Sequence, residues 1–216
     1  MSNPSLTDWL TAVGTVGAVA VALFVAFLQN ILQYYNRPVL IIEFENEEPF
    51  CKHRVLELED YNPVKTGYYV RLRIRNTGRS IAIDCEGKLN QVLQKVTTNG
   101  VSTFRELVDF GTPRALHWSG QGLRNNININ GGNAFEYLDV LSVIDDNSYL
   151  IRIDSNESEP GTTPAMFSRV DYILAINVYS RNTKPVEKKY QLRFGKVDVQ
   201  EGKVGYDDIV MEELQK

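Results

Sequence analysis

Between Trp9 and Leu28 the chain carries no charged residue, and no other feature restricts its fold so strongly. At the α-helical rise this segment measures roughly 30 Å, the thickness of the hydrocarbon core of a bilayer. Half of its side chains are Leu, Val or Phe, which together favour insertion by roughly 3–6 kcal/mol, whereas one central Asp or Lys would cost about 3 kcal/mol. The nearest charges, Asp8 and Arg37, lie outside the span. Trp9 at one boundary and Tyr34 and Tyr35 at the other are amphipathic rings of the kind that favour the headgroup layers. A cleaved signal peptide would need a basic start, a shorter apolar run and a small-x-small site; MSNPSLTD has no Lys or Arg, and FLQNILQYY offers no such site. A soluble core helix would show a polar face, which Thr11, Gly14, Thr15 and Gly17 do not form. The reading is a transmembrane helix over 9–35 behind a short tail, 1–8.

The flanking charges set an expected orientation. The amino-terminal side has Asp8 and no basic residue, while Arg37, Lys52 and Arg54 follow the span. This places the N-terminus outside and the remainder in the cytoplasm of a cell whose inner membrane the helix crosses once. Asn156-Glu157-Ser158 matches the glycosylation pattern, which matters only in a secretory lumen.

All 23 Lys and Arg, and every acidic residue except Asp8, follow Asn36. The balance is mildly acidic and provides no general nucleic-acid footprint. The length after the helix suits one hydrophobic core. We therefore expect one domain over 36–200 and an acidic tail over 201–216, where YDDIVMEELQK carries four acids and few apolar side chains. Cys51 and Cys85 stay reduced in a cytoplasm; Cys85, in register with Ile81, Ile83 and Leu89, reads as a small buried hydrophobe.

The apolar period after the helix is two. In Tyr68–Arg75 the residues Val70, Leu72 and Ile74 share one face and Arg71, Arg73 and Arg75 the other, the pattern of a half-buried strand. Asn76-Thr77-Gly78 turns the chain into a second alternating run, Ser80–Leu89. Further strands are expected over Val39–Glu45, Val55–Glu59, Gln91–Val96, Ala134–Val143, Tyr149–Ile153, Asp171–Tyr179 and Glu187–Val199. Short strands separated by Gly, Asn and Pro indicate an antiparallel β-sandwich. The fold class is thus mainly β, one transmembrane helix followed by an immunoglobulin-like sandwich.

The segment YYVRLRIRNTGRSIAIDCEGKL resembles bacterial and archaeal immunoglobulin-like domains of the CARDB class, in which a strand ends at Asn-x-Gly and the next begins with small and apolar residues. DYILAINVY, the turn SRNTKPV and the run KKYQLRF are similar to the last hairpin of such sandwiches, and the resemblance gives Tyr172 the tyrosine-corner role. The whole plan resembles that of uncharacterised prokaryotic single-pass membrane proteins. Such folds host many functions.

Enzyme signatures are absent from the sequence. His53 and His117 are the only histidines; neither belongs to a zinc motif, and Cys51-Lys52-His53 offers two ligands where a structural site takes four. No P-loop, dinucleotide fingerprint or nucleophile elbow occurs. We expect a non-enzyme with no cofactor and no metal.

Three features can carry an activity. The stripe Arg71, Arg73 and Arg75, with Arg79 beyond the turn, either clamps an anionic ligand through forked donors or forms a charge ladder with Glu43 and Glu45. The long connection Gly111–Asn133 either builds a stacking and charge pocket from His117, Trp118 and Arg124 near Gly120 and Gly122, or uses Trp118 to close the core with a short strand at Ile127–Asn130. The neighbouring SNESEPGTTP reads as a surface loop. Within the span, Thr11, Thr15, Ala18, Ala22, Val25 and Gln29 form a heptad-like seam, and Gly14, Ala18, Ala22 and Ala26 recur every four residues. Either the helix self-associates along this seam or it is a monomeric anchor.

Two functional expectations follow. One is a membrane-anchored cytoplasmic interaction or sensor module, homo-oligomeric through its helix, with the bilayer and a protein or small anionic ligand as partners. The other is a ligand-gated membrane effector, oligomeric and pore-forming, which resembles small effectors of prokaryotic antiviral systems including those gated by cyclic oligonucleotides. The short link Tyr34–Pro38, with Pro38 forcing Arg37 out of helix, suits coupling between the two parts.

Overall fold

The structure is a computed structural model that describes residues 6–56, 65–107, 113–121, 124–144, 150–153, 166–168, 170–194 and 209–214. The chain divides into two compact units, Met1–Arg37 and Pro38–Lys216.

The first unit is the helix α1, Leu6–Asn36, 31 residues and so roughly 46 Å long. It is long and apolar enough to cross a membrane. Every side chain described along it is exposed except Ile31, which is half-buried. The hydroxyls of Thr11 and Thr15 donate to the carbonyls of Thr7 and Thr11, each at 2.8 Å. Their donors are thus satisfied within the helix, as a lipid surrounding requires.

The second unit is a β-sandwich of two antiparallel sheets. The first holds β1 (Leu40–Glu43), β2 (Cys51–Leu56), β3 (Lys65–Asn76), β7 (His117–Trp118), β9 (Ala134–Ile144), β10 (Leu150–Ile153) and β11 (Met166–Ser168). Its order is β1-β3-β9-β10-β11, with β2 also on β3 and β7 on β9. The second holds β4 (Ala82–Thr98), β5 (Val101–Glu106), β6 (Arg114–Ala115), β8 (Ile127–Ile129), β12 (Tyr172–Ser180), β13 (Thr183–Phe194) and β14 (Ile209–Glu213). Its order is β14-β13-β12-β4-β5, with β6 and β8 on β4. The core lies between the sheets, where Val70, Leu72 and Ile74 of β3 meet Leu89, Val92, Leu174, Ile176, Tyr190 and Leu192. The alternation in β3 and the last hairpin, β12 to β13, stand as the sequence implies.

Several expectations change. The turn after Asn76 does not pair its flanking strands; it carries the chain from the first sheet to the second. Ser80–Leu89 and Gln91–Val96 belong to one strand, because Asn90 is an extra residue between the pairs Leu89↔Ile176 and Gln91↔Ala175. Asp84, with φ of 52°, shifts the alternation earlier in the same strand. Cys85 is therefore buried with Ala82 and Leu89, while Ile81 and Ile83 point outward. The β4–β5 hairpin turns on Asn99-Gly100, both with positive φ, as a two-residue primed turn demands; β5 was not expected from the sequence. The segment read as an acidic tail contributes β14, an edge strand on β13. Residues 57–59 and 195–199 of two expected strands, Tyr149, and the SNESEPGTTP loop with its glycosylation pattern lie outside the described residues.

The end of the sandwich at which the chain enters is tied together by Asn76, which is fully buried. Its Oδ1 accepts from the amides of Val39 and Gly78, each at 3.1 Å, and its Nδ2 donates to the carbonyls of Ser80 and Ile129 at 2.8 and 3.0 Å. One side chain thus joins β1, the turn and β8. Gly131 packs under the same turn: a Cβ there would lie 2.4 Å from the Arg79 carbonyl oxygen, so only glycine fits.

Candidate functional site: the arginine and aromatic face of the first sheet

Because Val70, Leu72 and Ile74 face the core, Arg71, Arg73 and Arg75 stand together on the outer face of the first sheet. Register brings Glu43 of β1 opposite Arg73, and Asp139 of β9 opposite Arg71. Arg73 Nε and Arg75 Nη2 both donate to Glu43 Oε2, each at 2.6 Å. Arg71 Nε is 3.2 Å from Asp139 Oδ1, an ion pair without hydrogen-bond alignment. Asp139 accepts instead from Ser119 Oγ at 2.8 and 2.9 Å. Glu43 is the ladder partner that the strand pattern implies. Glu45 is not; it follows the end of β1 and forms no ion pair among the described residues.

Aromatic rings fill the space between the guanidinium groups. Arg71 lies over Tyr69 at 4.2 Å and over Tyr137 at 5.4 Å; Arg73 lies over Phe50 at 4.9 Å and Phe135 at 5.6 Å. Tyr137 contacts Phe50 and Phe135 edge to face. Each such cation–ring contact contributes about 0.5–1 kcal/mol at an exposed site, similar to an exposed ion pair, and Phe50 itself is buried. Among the described side chains of the face, three guanidinium groups stand against two carboxylates, one excess positive charge. Its arginines are preorganised by partners rather than free. An anion can engage the remaining forked donors or displace Glu43 from the pair that shares it. Sequence reasoning missed the aromatic half, although Phe135, Tyr137 and Asp139 alternate in AFEYLDV.

Arg79 does not join the stripe. It is exposed beyond the turn, and no ion pair or ring contact links it to Arg71, Arg73 or Arg75 among the described residues.

Among the described residues His117, Trp118 and Arg124 do not converge on one face. Trp118 is fully buried, and its Nε1 donates to the Asn125 carbonyl at 3.0 Å. Neighbouring residues of a strand point to opposite faces, so His117, half-buried and paired with Asp139 across the ladder, is on the other side of the sheet. Arg124 is exposed in the connection, Gly120 adopts φ of 72° in the preceding turn, and Gly122 lies outside the described residues. The alternative holds: Trp118 closes the core and Ile127–Ile129 is a short strand on β4. A Trp118→Ala variant should therefore lose about 3–5 kcal/mol of stability, read by thermal unfolding. A stability within 0.5 kcal/mol of the parent, as for a surface change, would restore the pocket.

Among the described residues two groups titrate away from their ordinary values, and both are in the core. Burial pushes the Cys85 thiol up, against hydrogen bonds with Ser180 and the Ile129 backbone. Burial and, secondarily, Glu213 hold the Tyr190 phenol above its usual range. The side chain of His53 lies outside the described residues, while Cys51 is buried. The helix residues Thr11, Gly14, Thr15, Ala18, Ala22 and Gln29 all lie on exposed helix surface, and nothing approaches the Cβ position of Gly14.

The sequence matches no protein-family model, and no curated protein matches it.

Proposed function

We propose that this chain is a membrane-anchored interaction or sensor module: an inner-membrane helix that confines a cytoplasmic β-sandwich to the bilayer surface and self-associates through its small-residue seam. The observation that carries the reading is the helix. From Trp9 to Leu28 it has no charge, and Leu10, Val13, Val16, Val21, Leu23, Phe24 and Phe27 are all more than half exposed. Such a surface is stable only in lipid or against other helices. The module offers partners its arginine and aromatic face, where preorganised guanidinium groups and rings suit a small anionic ligand or an acidic peptide.

A second reading, the ligand-gated effector, is favoured by one feature. The Pro38 carbonyl accepts from Thr183 Oγ1 at 3.2 Å and Val39 is bonded to Asn76 and Thr77, so Arg37 alone separates the last helical residue from a backbone held by the sandwich. A change in the domain has no flexible linker to dissipate it.

Three measurements test this. The protein should remain in the membrane fraction after alkaline carbonate extraction; release would remove the anchor. Protease should reach the sandwich in inside-out vesicles and not in spheroplasts, and the reverse result would invert the orientation. Ala18→Leu combined with Ala22→Leu should lower cross-linking between copies several-fold, because the added bulk blocks close helix approach. Unchanged cross-linking would exclude this seam.

A further inference from the structure

One end of the sandwich combines exposed apolar and basic side chains. Val39, Ile81 and Ile83 are 39, 46 and 37% exposed. They are brought together by backbone bonding: the Val39 carbonyl accepts from the Thr77 amide at 2.8 Å, the Ile83 carbonyl accepts from the Arg181 amide at 2.9 Å, and Asn182 links both isoleucines. Asn182 Oδ1 accepts from the Ile83 amide at 3.0 Å while its Nδ2 donates to the Ile81 carbonyl at 2.8 Å. Thr183 then bonds the Pro38 carbonyl. Around these residues stand Arg79, Arg181 and Lys184, all exposed and without an ion pair among the described residues. Among the described residues, Asp84 is an acidic residue exposed beside them. Among the described residues this end is therefore net positive, on a chain whose formal charge is −4.

This is also the end through which the chain enters the sandwich. Pro38 follows Arg37, and one extended residue reaches about 3.5 Å. With Tyr34 and Tyr35 at headgroup level, Pro38 is close to the same layer. Single exposed isoleucines are ordinary on a protein surface; two isoleucines and a valine ringed by basic groups that form no ion pair among the described residues, at the end where the chain enters the sandwich, match the composition of a membrane-surface contact.

We propose that this end of the sandwich lies on the bilayer that the helix crosses, with Ile81 and Ile83 in the headgroup layer and Arg79, Arg181 and Lys184 on anionic lipid headgroups. The inference depends on the membrane-spanning reading of the helix. Each basic residue at an anionic leaflet strengthens the contact about fivefold, so the three together select the lipid charge.

Tryptophan quenching by brominated lipid in nanodiscs tests the contact with the full chain. In native protein Trp9 reports the helix, while Trp118, fully buried, is a constant background. In a Trp9→Phe, Ile81→Trp variant the new indole reports the sandwich end. Position 81 is exposed, so the substitution does not disturb the core. We expect the part of the emission that exceeds the Trp118 background to fall about twofold or more in nanodiscs containing phosphatidylglycerol, as interfacial burial of an apolar side chain requires. The loss should be much smaller in phosphatidylcholine alone, and it should vanish when Arg79→Glu, Arg181→Glu and Lys184→Glu are added. Quenching of Trp9 without quenching at position 81 would overturn the contact and leave the anchor. Quenching at neither would overturn the spanning helix itself. A blue shift at position 81 that grows with copies per disc and ignores headgroup charge would assign this surface to a second copy, and would also overturn the proposal.

Discussion

Asn76→Ala should lower the unfolding free energy of the sandwich by about 4 kcal/mol, at roughly 1 kcal/mol for each of four hydrogen bonds. The side chain bonds Val39, Gly78, Ser80 and Ile129, and it does so with no exposure to water. Alanine leaves two backbone amides and two carbonyls at this end without their partner, which is costlier than never forming the bonds. For a domain of this size the expected fall in melting temperature is roughly 8–16 °C. Asn76→Asp should not rescue, since a carboxylate lacks both donors and places a charge in the same buried site. Thermal unfolding of the full chain in detergent reads the effect. A fall of less than about 1 kcal/mol would mean that water replaces the side chain, and that Asn76 does not hold the entry end together.

Deleting residues 209–216 should be as damaging. Met211 is buried, and β14 pairs with β13 from Tyr190 to Phe194. Asn46 covers the outer edge of β14, its Nδ2 donating to the Met211 carbonyl and its Oδ1 accepting from the Met211 amide. Loss of one buried methionine side chain costs about 2–5 kcal/mol, and the deletion also uncovers β13 as an unpaired edge, a template for aggregation. The exposed pairs Lys188–Glu213 and Arg193–Glu212 add little. We expect a loss of at least about 3 kcal/mol, read by thermal melting, with aggregation visible on size exclusion. A truly solvated tail could be removed within about 0.5 kcal/mol, and that result would refute the strand.

The phenol of Tyr190 provides an independent readout of the same deletion. Burial raises its pKa in the intact fold, so the neutral form contributes stability that is complete below the unfolded value near pH 10 and is lost as pH rises above it. Without β14, Tyr190 should titrate near that ordinary value in an alkaline absorbance titration. An unchanged titration would show that the burial comes from other strands.

The features legible in the sequence were those set by local periodicity. Val70-x-Leu72-x-Ile74 marks a two-residue repeat whichever sheet it joins, and it places three arginines on the opposite face without knowledge of any neighbour. Asp171–Tyr179 and the run after it are joined by a short turn, so their pairing is local as well. What was missed depended on partners distant in sequence. The strand Ile209–Glu213 has three apolar residues in a row followed by two acids, with no alternation to declare a strand; it becomes one because Tyr190–Phe194 offers an open edge and Asn46 a side-chain amide. The inverted phase of Ile81 and Ile83 comes from Asp84 in a left-handed conformation, which alternation alone does not reveal. Trp118 could stack on a ligand or close a core, and the choice was made by the Asn125 carbonyl and the surrounding strands.

By itself, the sequence determined an uncharged span of bilayer length and a chain after it that alternates as strands, because both follow from hydrophobic patterning along a few successive residues. Only the tertiary structure decided that the arginine stripe is shared among Glu43, Asp139 and four aromatic rings, that Asn76 ties the entry end together, and that exposed isoleucines gather there with exposed basic groups. Those arrangements depend on register between strands far apart in sequence, and register is set by packing across the whole sandwich.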